Sequence, residues 1–211
     1  MRYRSRMPDA AVSATEVDRR TAILACTCRV IARDGADGVR MAAVAREAGV
    51  SSALLHYYFA TRDELIRQAF EHHDATETQR SHEQLRRIDD PIARIRFVLA
   101  NELGEDEAVQ QGWFLWGEME RQARFHADYR ASVVDRTNRW ISLVTELIAD
   151  AQEAGRVNPD LDAPAVGFRL TCLVDAFASH IALGTMSREG ALRQLDAGLR
   201  DALQLGTRWA T

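Results

Sequence analysis

The stretch that most constrains this chain is Met41 to Arg62, MAAVAREAGVSSALLHYYFATR. Met41, Val44, Ala45 and Ala48 recur at i, i+3, i+4 and i+7, which puts one apolar stripe on a short helix. Gly49 can take the left-handed conformation that ends a helix without a Cβ penalty. Ser51 can cap a second helix by accepting from a free amide inside it. Ala45 is small enough for two helices to cross closely over it. The pattern is that of a helix-turn-helix, whose second helix enters a DNA major groove.

Charge is divided along the chain in a way that suits this reading. Residues 1–62 hold ten Arg against six acidic residues, a balance of +4, and the remainder holds seventeen against twenty-five, a balance of −8, which together return the net −4. A basic head on an acidic body implies that only the N-terminal end meets a polyanion. At 211 residues and 46% hydrophobic, the chain can bury a substantial core. Three cysteines make no disulfide framework, which points to a reducing cytoplasm. The N-terminus MRYRSRMPDA lacks the apolar core of a secretory signal, no stretch approaches the length of a membrane span, and no membrane partner is expected.

Periodicity predicts an all-α chain of about nine helices. Residues 1–16 form an arm with Arg2, Arg4 and Arg6, either a disordered terminus or a segment that gains order on DNA. A first helix is expected from about Val17 to Asp34, ended by Gly35; Cys26 and Cys28 at i, i+2 diverge too far to share a metal and read as packing residues. Thr61-x-x-Glu64 is a capping box that opens a long helix to about Arg87. Asp90-Pro91, Asp162-Ala163-Pro164 and Ser187 open later helices. Residues 163–183 are apolar on most sides, and Ala191, Leu192, Leu195, Leu199 and Leu203 form a leucine seam in the final helix. A dimer through about 163–183 and 188–205 would hide both faces.

From Gly49 to Leu65, the run GVSSALLHYYFATRDEL resembles the DNA-binding signature of TetR-type (tetracycline-repressor-like) regulators, roughly G-V-S-x-G-T-L-Y-x-H-F-x-S-K-E-x-L. The close resemblance covers about residues 17–70, and the body resembles the choline-sensing, BetI-type branch more loosely. It implies an N-terminal three-helix helix-turn-helix domain (1–62 with its arm) and a helical effector-binding and dimerisation domain (63–211). It also implies a dimer on palindromic double-stranded DNA, controlled by a small-molecule effector. Carried over by position, Ser51, Ser52, Ala53, Leu54, His56, Tyr57 and Tyr58 meet DNA. Arg62 stands for a phosphate-binding lysine, and Arg40 for the polar residue that opens the second helix. Leu54 replaces a threonine, which favours contact with a thymine methyl.

Within that frame Arg40, Tyr57 and Arg62 are assigned to phosphates with help from Ser51, and Ser52, Ala53, Leu54 and His56 to base edges. Tyr58 is open between core rim and backbone contact, and His56 between DNA contact and solvated surface; Leu55 and Phe59 are core. The candidate effector-lining residues are Phe97, Trp113, Trp116, Met119, Tyr129, Trp140 and Phe177, which could equally be core. A cationic effector could use Trp faces with Glu118 or Glu120. No catalytic residue, metal site or cofactor is expected: His72, His73 and Asp74 diverge on a helix, and no nucleophile–base grouping stands out. The competing readings are an architectural DNA binder without an effector, and an all-helical small-molecule binder or enzyme.

Overall fold

A computed structural model describes residues 14–206, with side chains from Asp18 onward. Among the described residues nine α-helices follow one another: α1 (Ala14–Gly38), α2 (Met41–Glu47), α3 (Ser52–Tyr58), α4 (Arg62–Leu85), α5 (Pro91–Asn101), α6 (Glu107–Ala123), α7 (Ala127–Glu153), α8 (Ala163–Ala182) and α9 (Arg188–Ala202). The helices begin where short polar side chains can take up free amides. Ser51, Thr61, Asp90, Asp106, Asp162 and Ser187 each accept from the amide three residues on. The box at Thr61 closes one residue early, because Glu64 accepts from the Ala60 amide at 2.9 Å. The arm bearing Arg2, Arg4 and Arg6 lies outside the described residues.

Two compact units divide between His72 and His73, within α4 and ten residues beyond the expected boundary at Arg62. In the first unit α2 packs on α1 and α3. Ile23, Leu24, Val30 and Ile31 of α1 are buried, as are Val44, Ala45, Leu55, Phe59, Leu65 and Ile66. The α1 helix breaks at Gly35, whose φ of 71° and ψ of 166° suit glycine, and a further turn runs to Gly38. Cys26 and Cys28 do diverge: Cys26 approaches the Val44 carbonyl at 4.0 Å, Cys28 the Ala69 carbonyl at 3.2 Å. Burial pushes the Cys28 thiol up to about 12, so it is an inert packing group.

The turn from α2 to α3 accounts for its backbone groups one by one. Gly49, at φ 67°, donates to the Arg46 carbonyl at 3.2 Å, and Val50 donates to the Ala45 carbonyl at 2.9 Å. This is a Schellman closure, and Ser51 Oγ then accepts from the Leu54 amide at 3.1 Å.

In the second unit α7 packs on α5, α6 and α8, while α8 and α5 pack on α9. Gly167 marks the closest passage of α8 on α7: a Cβ there would lie 2.7 Å from Thr145 Oγ1 and 3.3 Å from the Thr145 amide nitrogen. Two expectations need correction. Ala191, Leu195, Leu199 and Leu203 are at most 3% exposed, so all of the leucine seam of α9 but half-buried Leu192 is spent inside the protomer's own core. The apolar excess falls on α8, where Phe168 (55%) and, at the helix's C-cap, Leu183 (73%) stand in solvent, with Cys172 and Ala176 also exposed. The α8 helix is also long and apolar enough, at mean hydropathy 1.3, to pass for a membrane span, unlike any stretch anticipated. Yet Arg169, Asp175 and His180 lie in it, and Val166, Leu170 and Val174 belong to the helical core.

Replacing Gly167 with Val should overpack this crossing and cost roughly 1–3 kcal/mol. Gly49→Ala meets no neighbour, so its cost is conformational, about 1–2 kcal/mol. Urea denaturation of both variants checks these values; wild-type stability for Gly167→Val would mean that α7 and α8 do not pass so closely.

Candidate DNA-binding face and effector cavity

The seven residues of α3 divide sharply. Leu55 is fully buried, as is Phe59 just beyond the helix, and together they anchor it to the first unit's core. Ser51, Ser52, Ala53, His56 and Tyr57 are exposed, Tyr57 at 73%, while Leu54 and Tyr58 are half-buried. Tyr58 sits between its neighbours, its ring edge-on to Tyr57 at 5.2 Å and tilted to Phe59 at 6.3 Å. Its half-buried ring thus packs against both neighbouring rings. Arg20 of α1 lies over Phe59 at 5.5 Å.

The two arginines assigned to phosphates are both engaged within the first unit. Arg40 donates to the Asp37 carbonyl at 2.6 Å and to the Val39 carbonyl at 3.2 Å. Arg62 is held further in. Its Nε donates to the Val39 carbonyl at 3.0 Å, its Nη2 donates to the Ala36 carbonyl, and its Nη1 pairs with Asp63 at 3.0 Å. The guanidinium thus satisfies carbonyls at the end of α1 and ties the start of α4 to them.

The second unit contains a cavity of about 760 Å³, the size that suits a drug-sized molecule. Its walls come from Glu102 and the turn through Glu105, from Gln110, Trp113, Phe114, Trp116, Gly117 and Glu120 of α6, from Asp175, Ala178, Ser179, Ile181 and Ala182 of α8, and from Arg188. The Trp113 indole is fixed by a 2.6 Å bond from Nε1 to the Glu102 carbonyl, and Arg188 Nε donates to the Leu103 carbonyl at 2.7 Å. Glu102 is half-buried and Asp175 is open to solvent, yet the protein packed around each disfavours its charged form. Burial raises the Glu102 carboxyl, against the opposing pull of Arg136. Burial likewise raises Asp175 to about 6, again opposed by Arg136 and reinforced by Glu120.

Residues 23–69 match the family model of bacterial regulatory proteins, tetR family. The HTH-type transcriptional regulator PksA of Bacillus subtilis (strain 168) is 29% identical over 166 residues, 78% of this chain and 79% of that protein. The HTH-type transcriptional regulator BetI of Brucella anthropi is 31% identical over 98 residues, 46% of this chain and 50% of that protein. A Rhodococcus sp. structure described as a TetR-family transcriptional regulator superposes with a TM-score of 0.79 at 26% identity, covering 89% of this chain and 99% of the other. Residues 23–69 thus match the tetR family, and the chain as a whole is similar to regulators of that family. Two structures below 25% identity share the fold. One is a Saccharomonospora viridis transcriptional regulator in complex with choline (TM-score 0.77, 24% identity, covering 90% and 97%). The other is Bacillus subtilis FadR in complex with stearoyl-CoA (TM-score 0.69, 13% identity, covering 86% and 96%).

Against this tetR frame, the expected lining residues separate into two groups. Trp113 and Trp116 line the cavity; Phe97, Met119, Tyr129, Trp140 and Phe177 do not. Phe97, Trp140 and Phe177 pack against the core of α5, α7, α8 and α9 instead, and Met119 and Tyr129 are buried. Of the two acids considered for a cation, Glu120 lines the cavity, whereas Glu118 pairs with Arg121 at 3.3 Å. Glu102 and Asp175 were missed, since they lie 73 positions apart and converge only when α5 and α8 pack. Asp74, once a conceivable metal ligand, accepts from Arg136 and Arg139, each at 2.9 Å.

Arg62→Met should unbind the Ala36 and Val39 carbonyls and lower stability by roughly 1–3 kcal/mol. Arg62→Lys, which keeps the charge but not the fork, should recover only part of that loss in the same thermal or urea melt. A fully stable Arg62→Met variant would show that the guanidinium does not hold the end of α1.

Proposed function

We propose that this tetR-family regulator grips a palindromic operator as a homodimer in the cytoplasm and is released when a small molecule fills the second unit's cavity. The observation that carries the reading is the division of α3: a buried Leu55–Phe59 anchor behind an exposed Ser52, Ala53, His56 and Tyr57. A major groove accepts one helix face, and this face offers small residues for close approach with polar tips around them. Ser52, Ala53, Leu54 and His56 meet base edges in this reading. Tyr57, Ser51 and the α3 amides meet phosphates, with Tyr58 in support.

Arg40 and Arg62 need a modified role. Each guanidinium is already bonded to carbonyls around the end of α1, so phosphate contact would be made by whatever donors remain. Arg62 acts first by positioning the α1–α2 corner and the start of α4. Since the division between units falls inside α4, that helix is the continuous segment through which effector occupancy can bias the two heads. Pairing of the exposed Phe168, Cys172 and Ala176 of α8 and of Leu183 at its C-cap with a second copy, flanked by α9, supplies the dimer. The cavity favours an effector-responsive protein over an architectural DNA binder, and the reading assigns it ligand binding rather than catalysis.

Fluorescence anisotropy with DNA from upstream of the protein's own gene tests this. Tyr57→Ala should weaken binding about tenfold, near 1.4 kcal/mol, without altering sedimentation of the dimer. Phe168→Glu should yield monomers by sedimentation and lose operator binding in parallel. Undiminished binding by Tyr57→Ala would remove α3 from the interface.

A further inference from the structure

We propose that the cavity takes an organic cation with an apolar body, received by the Trp113 and Trp116 rings and by the Glu102 and Asp175 carboxylates. The inference rests on the reading of this cavity as the effector site and narrows the class of effector. The lining carries four carboxylates, Glu102, Glu105, Glu120 and Asp175, against one guanidinium, Arg188, which is already bonded to the Leu103 carbonyl. An anionic ligand would meet net repulsion there. A neutral one would displace water from the acids without returning a counter-charge. A cation meets attraction from both kinds of wall, because aromatic faces hold cations within about 6 Å of the ring centroid. Trp116 already does so in this chain: the Arg136 guanidinium lies 4.5 Å from its centroid, and Arg136 does not line the cavity.

The carboxylates also make binding proton-linked. Asp175 faces Arg136 from α7, Glu120 from α6 and Cys172 on its own helix; Arg136 alone of these opposes its protonation. Glu102 faces Arg136 from α7, Asp74 and Glu77 from α4, and Asp175 from α8. Burial leaves Asp175 titrating at about 6, above the ordinary aspartate range. A bound cation favours its ionised form and so expels the proton. The sign follows: affinity for the cation is full above about pH 6 and falls as pH drops below it, by up to about tenfold per unit for one proton.

Calorimetry on the full chain, run beside operator binding, tests the assignment with three probes: choline, its uncharged carbon isostere 3,3-dimethyl-1-butanol, and stearoyl-CoA as an anion. Choline is expected to bind at least about tenfold more tightly than the isostere at pH 7.5. It should weaken toward pH 5, and Asp175→Asn should reduce its advantage and flatten the pH dependence near 6. Glu102→Gln should reduce the advantage in the same direction. Gly117→Phe, at a lining position where a Cβ meets nothing within 4 Å, should block choline while preserving the melting temperature, which separates site loss from misfolding. Equal binding of the isostere, no choline binding, or tighter binding of stearoyl-CoA would overturn the cation assignment; DNA release by either of the other probes would still leave an effector-responsive regulator. Choline binding that left operator affinity unchanged would support the cation site and overturn the effector reading.

Discussion

The four-residue turn from Ala48 to Ser51 is the constraint on which the head depends. Two helices this short cannot persist alone, because nucleation costs more than a single turn returns. They persist because the turn leaves few backbone groups unmet. Gly49 and Val50 close the carbonyls of α2, Ser51 takes up an amide of α3, and Leu55 with Phe59 then fixes the rotation of α3 about its axis. That rotation decides which side chains face outward. A shift of one residue would turn Leu55 away from the core and bring Leu54 or His56 into its place.

Arg62 adds a second fixed point in the same unit. By binding carbonyls at the end of α1, it does for the helix C-terminus what Ser51 does for an N-terminus, and it does so with a planar fork of donors. The residue that matches a phosphate-binding lysine by position thus has a structural task already, one that a lysine's single ammonium could fill only partly.

In the second unit, the same economy governs α8. Its length is apolar on most sides, and one side is consumed by α7, so closely that Gly167 stands where a side chain would strike Thr145. With α9 burying its own leucines in the protomer, Phe168 and Leu183 are left as the unclaimed surface, the feature that supports a second copy of the chain. Beside this packing, α6 and α8 leave a space walled by indoles and carboxylates. Its acidity is a local property, set by Glu102 and Asp175 from elements far apart in sequence, and burial raises Asp175 despite the opposing charge of Arg136.

The order of helices, most of their caps and the helix-turn-helix were legible in the sequence, because each depends on neighbours within a few residues. Ser51, Thr61, Asp90, Asp162 and Ser187 announced helix starts through one local bond apiece, and the spacing of Leu55 and Phe59 marked them as core. The basic head and acidic body were likewise countable. Side-chain destinations at long range were not. Aromatic residues at helical spacing look alike whether they fill a core or line a space, so Trp113 and Trp116 could not be told from Phe97, Trp140 and Phe177 until α5, α6 and α8 were packed. The leucines of α9 could have served a partner or their own protomer, and Arg62 could have reached for DNA or for a carbonyl 26 residues away. Local hydrogen bonding and periodicity determined what this chain forms; only the convergence of distant elements decided which of its residues remain free to bind.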